Sequence, residues 1–286
     1  MKKALLAVLL LTGLSSAHAA NIAFISFHAT DAPSAAAAAA GLTSASDIGY
    51  TNALTAAGHN VTRYATKDDP TADDAAIYNA ADLVIISRAV SSGHYQQETA
   101  FWNTAITAPV INMGGYTLRN SRLNFTDGAD MPDTTGNVAL SIVGAHPIFD
   151  GVTLNGAGGV DYAVNVEEPL LATPTQRGIS VNANNVVGGT VLATVDGIAN
   201  GFAIAEWQKG ATLNNGDVLG GNRLVFLSGS REASGISSET AGLYDLTSEG
   251  NKMFLNAVNY MAVPEPGTAL LAGMGCVLMM FRRRRN

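Results

Sequence analysis

Cysteine is nearly missing from this chain of 286 residues: Cys276 is the one thiol, so no internal disulfide can form. Stability must then come from core packing. Charge is also sparse, at 14% of residues, and the basic sign is the scarcer, with 16 Lys and Arg against 23 Asp and Glu. That balance argues against nucleic acid and anionic membrane surfaces as partners. No Gly-x-Ser-x-Gly occurs, so a serine nucleophile elbow is not signalled. His28, His59, His94 and His146 are scattered, without the His-x-x-x-His or cysteine-rich spacing that holds zinc. Asp127, Asp130 and Asp133 recur every three residues, which fits a solvated loop rather than the one, three, five ligand spacing of an EF-hand. The glycines at 156–159 and 188–189 lack the strand-to-helix setting that a phosphate loop needs. These motifs call for no metal and no cofactor.

What the chain does have is an address at each end. Lys2 and Lys3, an apolar stretch over 4–14 and the small residues Ala17-His18-Ala19 make 1–20 a secretory signal peptide, cut after Ala19 or Ala20. The other end, 263–286, reads Val263-Pro264-Glu265-Pro266-Gly267, then 14 apolar residues over 268–281, then Arg282, Arg283, Arg284 and Arg285. As a helix the apolar run would rise about 21 Å, short of the roughly 30 Å hydrocarbon core, so it anchors only marginally. The four arginines act as a stop-transfer signal that keeps the C-terminus cytoplasmic and the body outside. Two prolines flanking Glu265 leave an extended, accessible segment next to the membrane, which suits a processing protease.

That three-part tail resembles the PEP-CTERM sorting signal of exosortase substrates, with Pro264-Glu265-Pro266 as the namesake motif. The resemblance implies a transient stay in the inner membrane, removal of the tail by an exosortase-type enzyme, and delivery to the surface or exopolysaccharide matrix of a Gram-negative bacterium. A plain tail anchor is the alternative. Cys276 lies inside the apolar run, where a buried small residue is the simple reading and lipidation the other. Lys2 and Lys3 carry +2 and the four arginines less Glu265 carry +3, so the body between is near −12 against −7 for the whole chain.

The body, 21–262, is long enough for one large domain or two small ones, and reads as one. Buried-strand runs stand at 21–27, 82–87 and 223–228, further strands at 59–64 and 109–113, and shorter strands at 138–143, 191–195 and 202–207. Ser46 is placed to cap a helix over 50–57 that ends at Gly58. Further helices are expected over 95–106 and from Thr247 onward, while the alanine run 35–40 reads as a short helix or a loop. This alternation predicts an α/β fold, a flavodoxin-like doubly wound, mostly parallel sheet, with 122–207 either a β-rich insertion or an extension of the sheet.

The order of these elements, with His146-Pro147-Ile148-Phe149-Asp150-Gly151 and the closing strand and helix, resembles the class I glutamine amidotransferase-like superfamily, especially its trehalose-utilisation-type branch. Enzymes of that superfamily place a cysteine nucleophile at the turn after a central strand and bring in a histidine and an acid later. Here the turn is Gly114-Gly115-Tyr116-Thr117, without cysteine, and Ser228-Gly229-Ser230-Arg231-Glu232 follows the late strand, without histidine. The Cys-His-Glu chemistry is therefore not expected, and no catalytic residue is assigned. Ligands of open α/β sheets bind beyond the carboxyl ends of the strands, which points to a pocket of His28, Arg88, Gly115, Tyr116, Ser230, Arg231 and Glu232. Trp102 and Trp207 read as packing residues rather than sugar platforms. Three functions stay open: a noncatalytic surface or matrix protein that binds polysaccharide or other proteins, an extracytoplasmic hydrolase or carbohydrate-acting enzyme with a non-cysteine site, and a sugar-binding accessory protein.

Overall fold

Every residue of Asn21–Ser26 after Asn21 is buried, so this strand, β1, needs cover on both of its faces. The computed structural model describes residues 19–167, 170 and 176–262. After β1 come α1 (Ala35–Ala39), α2 (Ile48–Ala56), β2 (Asn60–Ala65), α3 (Ala72–Asn79), β3 (Leu83–Ile86), β4 (Val110–Asn112), β5 (Val138–Ile142) and β6 (Val160–Ala163). A two-stranded pair, β7 (Val166–Glu167) and β8 (Gln176–Arg177), precedes β9 (Thr190–Val195), β10 (Phe202–Trp207), β11 (Arg223–Phe226) and the closing helix α4 (Ser248–Ala262). Nine strands form one sheet in the order β2-β1-β3-β4-β11-β10-β9-β5-β6. From β2 to β11 neighbours run parallel, and from β11 to β6 each pair is antiparallel. Within 122–207, β5, β6, β9 and β10 thus extend the main sheet, while β7 and β8 pair apart from it.

Alternate residues of a strand point to opposite faces, which shows what covers each side. Phe226 of β11 meets Phe254 of α4, which in turn meets Tyr50 of α2, with centroids 5.6 Å apart in both pairs. Its neighbour Val225 faces the side occupied by Trp102, on which Tyr78 of α3 stacks at 5.6 Å. So α2 and α4 cover one face and α3 covers the other. Local sequence sets where these helices begin and end. Thr71 and Asp74 form a reciprocal capping box at the start of α3. Gly58, at φ +94°, ends α2, with its N–H and that of His59 bonded to the carbonyls of Thr55 and Leu54.

Two local expectations are corrected. Ser46 does not cap α2; the capping position is Asp47, and the Ser46 hydroxyl donates instead to the buried Ala241 carbonyl at 2.5 Å. The helix expected over 95–106 is a 3-10 turn at Ser92–Tyr95 and a π turn at Phe101–Ala105. Arg223 explains the second departure. Its buried guanidinium donates to the carbonyls of Trp102, Asn103, Ile106 and Ala108, and it can reach all four only if the chain turns tightly around it. Burial lowers its pKa to about 9. The sorting residues Val263, Pro264, Glu265 and Pro266, the arginines Arg282 to Arg285, and residues 1–18 lie outside the described residues.

Candidate functional site

In this strand order the chain leaves β1 toward β2 on one side and reaches β3 on the other, so the crevice at the carboxyl ends of β1 and β3 is the topological switch point. It is filled by the protein's own groups. Asp47, fully buried, accepts through Oδ2 from the hydroxyls of Ser26 at 2.7 Å and Ser87 at 2.6 Å, one at the end of each strand. Its Oδ1 accepts from Arg63 Nη1 at 2.8 Å, and the same guanidinium also reaches Asp31 and Thr51. The two serine hydroxyls accept in turn from the N–H groups of His28 and Ala89 at 3.1 Å. This buried charge is therefore paired and fully hydrogen-bonded, the condition under which burial is tolerated.

His28 belongs to the same layer as a lock on the turn. The Ser34 N–H donates to its Nδ1 at 2.9 Å, so the proton sits on Nε2, which donates to the Ser46 hydroxyl at 2.9 Å. Burial lowers its pKa, consistent with a neutral ring whose two nitrogens are both in use. Ser34 Oγ donates onward to Glu239, which ties the turn to the chain more than 200 residues away.

Farther along the edge, Arg88, Tyr116 and Glu232 do meet. Arg88 Nη2 donates to Glu232 Oε2 at 2.9 Å, and its guanidinium carbon stands 5.3 Å from the Tyr116 ring centroid. Arg119 stands 5.2 Å from the same ring. Gly229, at φ +86°, permits this approach, since a Cβ there would come within 2.9 Å of the Arg88 Cβ. Gly115 is closed over by Met131 and by the Ser180 carbonyl. Ser230 is buried, its hydroxyl has no hydrogen-bond partner, and its backbone is tied to Leu243 and Gly242. Arg231 turns away to Asp133 at 2.6 Å. Of the seven residues grouped by sequence, Arg88, Tyr116 and Glu232 form one contact cluster, whereas His28 and Arg231 have separate partners.

Behind the edge, Asp245 accepts from the Tyr50 hydroxyl at 2.7 Å and the Gly229 N–H at 3.0 Å, while its Oδ2 has no partner. Burial raises its pKa to about 6. The motifs set aside from the sequence are engaged locally. His146 lies 3.4 Å from Glu206, His94 bonds to Thr66, Asp127 accepts from Asn185, and the Trp207 indole donates to the Val187 carbonyl. Sequence reasoning missed Asp47, Arg63, Asp245 and Arg119. Only Arg119 left a usable sign: with Arg122 it follows directly on the Gly-Gly-Tyr turn.

No known family model matches the chain, and no curated protein matches it significantly. A solved structure described as the cytoplasmic protein STM3548 from Salmonella typhimurium superposes on it with a TM-score of 0.47 at 11% identity, over 84% of this chain and 98% of that one.

Proposed function

We propose that this chain is an exported PEP-CTERM protein, trimmed by an exosortase-type enzyme at Pro264-Glu265-Pro266 and delivered to the cell surface or exopolysaccharide matrix. Its body is a flavodoxin-like, doubly wound domain of amidotransferase-like ancestry that acts by binding rather than by catalysis. The sorting part rests on the sequence of the two ends. The observation that carries the noncatalytic part is that the acids and bases at the carboxyl edge are already bound to one another. His28 has both ring nitrogens engaged, Asp47 holds two serines and an arginine, and Glu232 holds Arg88. A hydrolase needs a base free to take a proton from a nucleophile or water, and in His28 and Asp47 every proton-accepting atom is already engaged, while Glu232 is paired with Arg88 through Oε2.

Protease treatment of intact cells tests the first part: the body is expected to be digested without lysis, and protection until the envelope is opened would contradict it. A panel of glycosides and esters tests the second. No turnover is expected, and turnover abolished by Glu232→Gln or His28→Ala would overturn it.

A further inference from the structure

The loop that follows β5 leaves a cleft on the surface of the body. Its volume is about 480 Å³, and its walls are mainly apolar, with Ile142, Phe149, Val152 and Leu154 set against two polar groups, His146 and Asp150. Leu154 is 52% exposed, and Val143, between the cleft residues Ile142 and Gly144, is 59% exposed. Single exposed apolar side chains are ordinary, but these two border one opening. The far side of the loop is fixed to α4. Lys252 donates to the Gly151 carbonyl at 2.8 Å, and Asn256 to the carbonyls of Ile148 and Asp150 at 3.0 and 2.9 Å. The cleft is therefore preformed.

The chain leaves the body beside this opening. Tyr260, in the last turn of α4, packs its ring on that of His146 with centroids 4.6 Å apart, and α4 ends two residues later at Ala262. The segment 263–267 separates Ala262 from the apolar run 268–281. At about 3.4 Å per residue it reaches roughly 17 Å, and its two prolines release the chain from the direction of α4. A short tether of this kind holds the run near the cleft at an effective concentration of millimolar order. The run's 14 apolar residues are unfavourable in water and too few to span a bilayer comfortably, so a local apolar cleft competes with the membrane for them. Charge favours the same placement, because the four arginines that follow would lie against an acidic body, with Asp150 in the cleft itself.

We propose that, until a bilayer takes it up, the apolar run 268–281 docks in the cleft of Ile142, Phe149, Val152 and Leu154 on its own body. The docked run is shielded from water and from other copies, and the membrane or a processing enzyme must draw it out. The docking rests on the composition of the run and the position of the cleft, and holds whether the tail is a sorting signal or a plain anchor.

Cys276, the one thiol, lies within the run and provides the probe. The full chain is produced in a host without an exosortase, purified with its tail intact, labelled at Cys276 with benzophenone maleimide in mild detergent, returned to detergent-free buffer and irradiated. Mass spectrometry should find the crosslink within one chain, on peptides of 142–158. Val143→Asp with Leu154→Asp, at two exposed positions, should cut that crosslink at least tenfold without lowering the unfolding temperature. Val143→Ser with Leu154→Ser should give an intermediate loss and covers the case in which the aspartate variant folds poorly. Crosslinks between chains, which would place the run on a second copy, crosslinks elsewhere on the body, no crosslink to the body, or indifference to all the substitutions would each overturn the docking. Because docking is read on purified protein and localisation on cells, a failure of one does not pass for a failure of the other.

Discussion

Asp245 is the residue whose protonation bears most directly on stability. Its ordinary pKa is 3.8 and burial raises it to about 6, so between those values the folded chain holds a proton that the unfolded chain has released. Stability therefore falls as pH rises through that window, by about 3 kcal/mol from this group, and is level above it. His28 has the opposite slope: burial lowers its pKa, so its contribution is complete above about 6.5 and is lost as pH falls below that. Asp245→Asn keeps an oxygen for Tyr50 and Gly229 and removes the titration. Urea unfolding at pH 4.5 and pH 7 should show the wild type losing about 2 kcal/mol relative to the variant on going to pH 7. An identical pH response in the two proteins would contradict this assignment. Neither Asp245 nor Asp47 could be found from sequence, because their partners are remote. Tyr50 lies 195 positions from Asp245, and Ser87 lies 40 from Asp47. A lone aspartate with distant partners leaves no periodic mark.

Helices and strands were far more readable, for the reason that burial repeats along them. The final helix buries Met253, Phe254, Ala257, Val258 and Met261 on one face, the helical spacing seen in the sequence, and the all-apolar run of β3 is a strand buried on both faces. The segment after β3 was not readable, because the conformation there is imposed by Arg223, more than a hundred residues later. Gly250, in the first turn of α4, separates propensity from packing in one experiment. Alanine there would gain about 1 kcal/mol of helix propensity. Yet its Cβ would lie 2.1 Å from the Tyr162 carbonyl oxygen, a backbone atom of β6 that cannot step aside. The clash should win, leaving Gly250→Ala destabilised by about 2 kcal/mol, or roughly 4–8 °C in Tm by thermal unfolding. An unchanged or higher Tm would mean that α4 does not sit this closely on β6.

At the scale of the whole molecule, the switch-point crevice is occupied by Asp47 and its partners Ser26, Ser87 and Arg63. The ends bear on the export reading. Ala20 is fully buried, its N–H donates to His59 at 3.2 Å, and its carbonyl accepts from Asn60 at 2.9 Å. Removing Ala20 would strip the first rung from the β1–β2 ladder, so of the two signal-peptide cuts open in the sequence, the one after Ala19 preserves the fold. The measurement that tests the central claim most directly is the intact mass of the mature protein, from wild type and from a variant carrying Pro264→Ala, Glu265→Ala and Pro266→Ala. The wild-type chain should begin at Ala20 and end near Pro266, and the variant should keep its full tail in the membrane fraction. If wild type and variant both retain the tail in the inner membrane, the segment is an anchor and the sorting account is wrong.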